Sequence, residues 1–290
     1  MKTGCVILNY NDADHVLALT NEIRDYSAID EIILVDNCST DCSMEVLKTL
    51  ESERIHVCCT DRNGGYGYGN NFGVKYAVQV CGCDYVLIVN PDVSFENDLV
   101  ERLKDVLLSD PQIGVAAAIQ RDRNGREILH SAWSIPTVWQ YIFSVETLCR
   151  RWAETFYVSL DRLHSADVVE ADCVAGSLLM VSAGAFMQCG GYDEEIFLYC
   201  EETTLGCKMK SHGFRTVVCS TVSYLHLHGV TIKECIQCGK EKTTAFEEPQ
   251  AGVKTVSACQ RTPVYAGSAC RGSCNFRNHF EDDIAKEWIR

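Results

Sequence analysis

Short, nearly continuous apolar runs recur through the first half of the chain, and each is closed by a polar cluster. Val6-Ile7-Leu8 ends at Asn9-Tyr10-Asn11, Glu31-Ile32-Ile33-Leu34-Val35 at Asp36-Asn37, and Tyr85-Val86-Leu87-Ile88-Val89 at Asn90-Pro91-Asp92. Ile55-His56-Val57-Cys58 is a further run, followed by a glycine-rich turn, and 113–119 is another. Between these strands the spacing becomes helical. Val16, Leu19 and Ile23 mark a helix from Asp14 to about Tyr26; Val46, Leu47 and Leu50 follow Asp41 as a capping residue; a third helix reaches Val80 and a fourth covers 97–109. Apolar strands alternating with helices predict an α/β fold with a largely parallel sheet covered on both faces. Ligands of such sheets collect beyond the carboxyl ends of the strands. The polar clusters at 9–11, 36–40, 63–71 and 90–92 all fall at those ends.

From 121 to 165 the pattern loosens, and Trp133, Trp139, Tyr141, Phe143, Trp152, Phe156 and Tyr157 crowd a segment that also holds Arg150 and Arg151. That segment reads either as a platform for a ligand or a membrane surface, since aromatic rings stack on ligands and suit lipid interfaces, or as a buried helix pair. Order returns from Val168 to about His228, with a helix over 199–211 and a strand at Thr216-Val217-Val218-Cys219. Beyond about 233 apolar periodicity fades, so 1–232 is expected to form the folded domain, divided near 120, and 233–290 a poorly ordered tail. The tail's Cys235-x-x-Cys238, Cys259, Cys270 and Cys274 have uneven spacing for a zinc site.

Composition narrows the function. The chain has 290 residues with 47% hydrophobic and 23% charged, ordinary for a globular protein, and a formal net charge of −14 that works against binding nucleic acid. It has 18 cysteines but no signal-like apolar run at its start and no stretch long enough to span a membrane. The expectation is a cytoplasmic protein with reduced thiols, Cys5, Cys58, Cys173 and Cys219 acting as small apolar core residues, and any membrane contact peripheral.

Four constellations carry candidate chemistry. In Asn63-Gly64-Gly65-Tyr66-Gly67-Tyr68-Gly69-Asn70-Asn71-Phe72-Gly73 the glycines would let backbone approach a ligand, but no Lys-Ser/Thr follows as a P-loop requires. No glycine follows the first strand either, which disfavours a dinucleotide fold, and a plain turn remains open. Asp92, after Asn90-Pro91, suits a hard divalent cation or caps the next helix. Glu201-Glu202 repel each other, so one can become a general base, or the pair simply complements a helix dipole. His226 and His228, two apart on a strand, share a face and read as metal ligands or as structural residues.

The order of these motifs is more telling than any one of them. Asp-Asn-x-Ser-Thr-Asp (36–41), the 63–73 segment, Asn-Pro-Asp-Val (90–93), Gly176-Ser177-Leu178-Leu179-Met180, Gly190-Gly191-Tyr192-Asp193-Glu194, Glu201-Glu202 and His226-x-x-Gly229 together resemble glycosyltransferase family 2, over residues 3 to about 232. Within it the chain is most similar to the rhamnosyltransferase-type enzymes of O-antigen and capsule assembly.

The resemblance implies a GT-A fold and a nucleotide-sugar donor. Tyr10 and Asn11 would line the nucleotide pocket, Asp36 would bond the base, and Asn63, Gly65 and Asn71 would shape the nucleotide-sugar loop, with Asn90 beside it. Asp92 and His226 would hold Mn²⁺ or Mg²⁺ on the diphosphate. Glu202, with Glu201 beside it, would deprotonate the hydroxyl of a glycan or lipid-linked acceptor, giving inversion. This sequence departs from the pattern at Asn90, where the first acid of the metal motif usually stands, at Glu202 in place of Asp, and at Thr204 in place of a later acid. The competing readings are a nucleotidyltransferase, whose basic glycine-rich loop is missing here, and a non-catalytic nucleotide- or glycan-binding module.

Overall fold

The computed structural model describes residues 1–137, 140 and 156–227. The first half is strand–helix alternation: β1 (Thr3–Asn9), α1 (Ala13–Ile23), β2 (Glu31–Asp36), α2 (Ser43–Lys48), β3 (Ile55–Cys59), α3 (Tyr66–Gln79) and β4 (Tyr85–Val89). A short β5 (Val93–Ser94), α4 (Asn97–Ser109) and β6 (Ile113–Arg121) follow. Then come β7 (Ala132–Trp133), α5 (Leu160–Leu163), β8 (Val168–Ala171), β9 (Cys173–Val174), β10 (Leu178–Ser182), α6 (Ala183–Cys189), α7 (Glu201–Ser211) and β11 (Arg215–His226). The main sheet runs β3-β2-β1-β4-β10-β6-β11-β5, with β8 also on β11, while β7 and β9 pair separately. Strands β3, β2, β1 and β4 are parallel to one another, and so are β6 and β11. Strand β10 runs against both β4 and β6. Its insertion turns two parallel blocks into one sheet.

Near-continuous apolar strands are explained by burial on both faces. Ile7, Ile32, Leu34 and Leu87 face one core, with Val16, Leu19 and Ile23 of α1 and Leu99, Val100 and Leu103 of α4. Their strand neighbours Val6, Ile33, Val35, Val86 and Ile88 face the other, with Val74 and Ala77 of α3, Phe186 of α6, and Leu205 and Met209 of α7. Each such side chain removed from water contributes roughly 1.5–3 kcal/mol, which fixes strand register because a one-residue slip would exchange the two faces.

The glycine-rich segment differs from its expected form. Helix α3 already begins at Tyr66, so Gly67, Gly69 and Gly73 lie inside it rather than in a turn. They bring the helix onto the sheet: a Cβ at Gly69 would strike Leu8, and one at Gly73 would lie 2.5 Å from Val6 Cγ1 and 2.8 Å from Val35 Cγ2. Only Gly65, the residue before the helix, takes the left-handed backbone that favours glycine, with φ 91°. Helix α7 begins at Glu201 rather than 199, and α2 begins at Ser43, with Asp41 accepting from the Ser43 amide at 2.9 Å. Cys5, Cys173 and Cys219 are buried as expected, whereas Cys58 is half-buried. Of the aromatic segment, Trp133 and Tyr157 lie in the described residues and pack edge-on, ring centroids 6.3 Å apart. The rest of that segment, except Phe156, and His228, Gly229 and the tail lie outside the described residues. No described helix is long and apolar enough to cross a membrane.

Candidate active site

Parallel strands deliver their carboxyl ends to one edge, and the site is built there. At the tip of β1, Asn9 lies opposite Asp36, the last residue of β2. Asn9 Nδ2 donates to Asp36 Oδ1 at 2.7 Å, Ser39 Oγ donates to the same oxygen at 2.6 Å, and the Ser39 amide donates to Oδ2 at 3.0 Å. The Asn11 amide in turn donates to Ser39 Oγ at 2.9 Å, and the Thr40 amide to Asn11 Oδ1 at 2.8 Å. Asp36 is thus the hub that folds the 9–11 and 36–40 loops into one wall, with most of its acceptor capacity directed inward. Tyr10, half-buried, is part of that wall.

The wall continues through amides. Asn37 Nδ2 donates to Asn63 Oδ1 and to the Gly65 carbonyl, each at 3.0 Å, and Asn63 Oδ1 also accepts from the Gly65 amide at 3.1 Å. A Cβ at Gly65 would overlap the Phe197 carbonyl, so the left-handed turn and the close approach both call for glycine. Asn71 is not directed at this wall. It is buried, its Nδ2 donating to the Tyr192 carbonyl and Glu194 Oε1, both at 3.0 Å, while its Oδ1 accepts from the Tyr192 amide at 2.9 Å. It clips the 190–194 turn to α3.

At the tip of β4 the Asn90 amide donates to the Ser177 carbonyl at 2.9 Å, joining that loop to the start of β10. Asp92 and His226 are 134 positions apart in sequence, yet Asp92 Oδ1 lies 3.2 Å from His226 Nε2 because β5 pairs with the end of β11. Both side chains are about a tenth exposed. On the other ring nitrogen, Gln120 Nε2 lies 2.6 Å from His226 Nδ1. With the amide as donor, the imidazole proton sits on Nε2, toward Asp92. This pair fits a small divalent cation: neighbouring ligands on an octahedral ion with bonds of about 2.1 Å stand about 3 Å apart, and the shared Nε2 proton is the one a cation would replace.

The acidic pair lies across from Asp92. Tyr199 and Cys200 both have φ 71°, and together with Asn11 and Cys38 they are the non-glycine residues of positive φ among those described. All four lie in the loops around this edge, where such backbone strain is commonly tolerated for function. Glu201 is buried, and its Oε2 finds no hydrogen-bond donor among the described residues. Burial, and then the charge of Glu202, push the Glu201 carboxyl up to about 8. Burial also raises Glu202, whose Oε1 accepts from the Gly176 amide at 3.3 Å. A solvated acid complementing the helix dipole would not be buried, so the dipole alone does not account for Glu201. The Tyr66 hydroxyl donates to the Gly176 carbonyl at 2.7 Å, and Tyr224 OH meets Ser177 Oγ at 2.7 Å. Tyr224 is close enough to feel the charges of both Glu202 and Asp92. A chain of contacts therefore links Asp36, Asn37, Gly65, Tyr66, Gly176 and Glu202, with Asn90 attached through Ser177.

Ser39, Gln120, Tyr66 and Tyr224 were not among the residues picked out by the sequence. Ser39 stood inside the quoted 36–41 motif, and Gln120 was visible as the polar residue ending a long apolar strand. Tyr66 stood inside the quoted 63–73 segment, and Tyr224 carried no local signal.

This two-block sheet, with its polar carboxyl edge and buried acid pair, defines a GT-A fold. A structure of GalNAc-T7 with UDP, GalNAc and Mn²⁺ superposes with a TM-score of 0.59 at 12% identity, covering 100% of this chain and 57% of that one. The model of glycosyl transferase family 2 matches residues 5–170, and the chain belongs to that family. It is 25% identical over 221 residues to the low-salt glycan biosynthesis hexosyltransferase Agl10 of Haloferax volcanii, which covers 76% of this chain. It is 26% identical over 204 residues to the N-acetylglucosaminyl-diphospho-decaprenol L-rhamnosyltransferase of Mycobacterium tuberculosis, which covers 67% of this chain. The matches span 66% of the length of each of those two relatives.

Proposed function

We propose that the protein is an inverting glycosyltransferase that moves a sugar from a nucleotide-sugar donor to a glycan or lipid-linked acceptor in surface polysaccharide synthesis, with rhamnose from dTDP-rhamnose as the donor. The observation that carries this reading is the convergence of Asp36, Asp92 and Glu202 on one edge from three separate parts of the chain. Similarity to a rhamnosyltransferase acting on a lipid diphosphate supports the sugar and the acceptor class.

The wall formed by Tyr10, Asn11 and the loop that Asp36 organises would receive the nucleoside, with Asn63 and Gly65 closing it from the β3 side and Asn71 holding the 190–194 turn in place. Asp92 and His226 would hold Mn²⁺ or Mg²⁺, with Asn90 adjacent, and a bound cation would offset the charge of the departing diphosphate. A neighbour of the same fold carries UDP together with Mn²⁺, which supports this site. Glu202 takes the proton from the acceptor hydroxyl, its basicity raised by burial, with Glu201 held beside it. The side chains of Phe197, Tyr199, Leu225 and Leu227 are exposed beside Glu201 and His226 and suit an apolar acceptor or peripheral membrane contact.

Replacing Glu202 by Gln tests the reading. Transfer should fall by roughly 10²-fold or more while donor affinity stays within about twofold, because the amide keeps the size and loses the base. A variant that transfers at the wild-type rate would remove Glu202 from the chemistry. The nucleotidyltransferase alternative predicts pyrophosphate release from a sugar phosphate and a nucleoside triphosphate, which the same preparation can be assayed for.

A further inference from the structure

We propose that Glu31, His56 and Cys81 form a second cation site, selective for zinc-type ions, at the amino edge of the sheet opposite the catalytic edge. Glu31 opens β2, His56 is the second residue of β3, and Cys81 follows α3, so the three donors come from separate elements. One donor atom from each lies within 4.8 Å of the others. His56 Nε2 is 2.7 Å from Glu31 Oε2. Imidazole, thiolate and carboxylate together suit zinc, whereas the oxygen-preferring ions expected at the catalytic edge avoid sulfur.

Two further observations favour a cation there. The first is Lys2. Its ammonium is 2.6 Å from Glu31 Oε1 and 3.0 Å from the Cys81 carbonyl, so a positive charge already stands at this spot, on a side chain 39% exposed and free to swing away. The second is the supply of thiols. Cys58 lies on the same face of β3 as His56, one pleat further along, and Cys83 follows Cys81 by two residues, and both feel the charge of Cys81. Either is a candidate fourth ligand for a tetrahedral shell. On binding, the Cys81 thiol releases its proton to solvent, the proton that His56 Nε2 shares with Glu31 leaves that nitrogen for Nδ1 or solvent, and the Lys2 ammonium leaves Glu31. The ion then fastens β2, β3 and the exit of α3 together, a structural clasp independent of sugar transfer.

Cobalt is the probe, because a sulfur-to-cobalt charge-transfer band reports thiolate ligation and is not given by an oxygen and imidazole site such as Asp92 with His226. The full chain, kept reduced, is titrated with Co²⁺ and then with Zn²⁺ as competitor. The proposal expects a saturable band that Zn²⁺ abolishes, affinity reduced at least ~10-fold in both Cys81→Ser and His56→Gln, and an unchanged band in Asp92→Ala. Lys2→Met should bind several-fold more tightly, since it removes the competing charge. Metal-free melts of each variant matching wild type exclude misfolding as the cause of a lost band. No band in wild type, or one that persists at full affinity in Cys81→Ser and His56→Gln, overturns the site.

Discussion

Glu201 and Glu202 are adjacent in the chain, the first buried and the second half-buried, and that proximity has a definite sign. Ionising one opposes ionising the other, so the pair holds a proton near neutral pH, with Glu201 pushed up to about 8 by burial and by Glu202. Because transfer needs ionised Glu202, whose carboxyl is raised by burial, kcat/KM should rise with pH through a limb above the ordinary carboxylate range. Glu201→Gln mimics the protonated neighbour and should leave that limb in place, whereas a limb moved by the substitution would show that Glu201 controls it. Stability runs the other way. A carboxyl whose folded pKa is raised favours the folded state when protonated, so this contribution is complete below the ordinary glutamate value of 4.5 and is lost as pH rises through about 8. Urea titrations at several pH values should therefore find Glu201→Gln gaining on wild type as pH increases. At this scale the sequence disclosed the candidates because strand ends and motif order mark them. It could not disclose that Asp36 and Asn71 direct their bonding inward, since those partners, Ser39 aside, lie 23 to 123 positions away. Nor could it disclose Tyr66 and Tyr224, whose hydroxyls acquire meaning only when Gly176 and Ser177 arrive beside them.

Helix α3 illustrates how an element can mislead when read alone. Three internal glycines disfavour a helix by roughly 1 kcal/mol each, so the stretch reads as a turn until the sheet beneath it is considered. Leu8, Val6 and Val35 fill the space where those side chains would be. Local propensity predicts that Gly69→Ala stabilises the protein by up to about 1 kcal/mol. The packing against Leu8 predicts instead a loss of about 1–3 kcal/mol from overpacking, measurable as a lower urea midpoint. The parallel strands β1 to β4 were legible because burial on both faces leaves continuous apolar runs. The antiparallel direction of β10 was not, because an apolar run buried in the sheet looks the same whichever way it points. The short β5 and β9 have too few residues to carry any period at all.

At the scale of the molecule, β10 joins the two parallel blocks, and the pairing of β5 with β11 carries His226 to Asp92. Donor binding should consequently depend on both halves of the chain. Asp92→Ala and His226→Ala, although on different elements, should each weaken donor binding with Mn²⁺ by at least ~10-fold, and the double variant by less than the product, because the two share one ion. Calorimetric titration of the three variants tests this. The most direct test of the whole account is a thermal-shift screen of nucleotide sugars with Mn²⁺ or with a chelator. The account predicts that one nucleoside-diphosphate sugar, dTDP-rhamnose foremost, raises the melting temperature only when the metal is present. A chain that no nucleotide sugar stabilises, or that is stabilised equally in chelator, would contradict it.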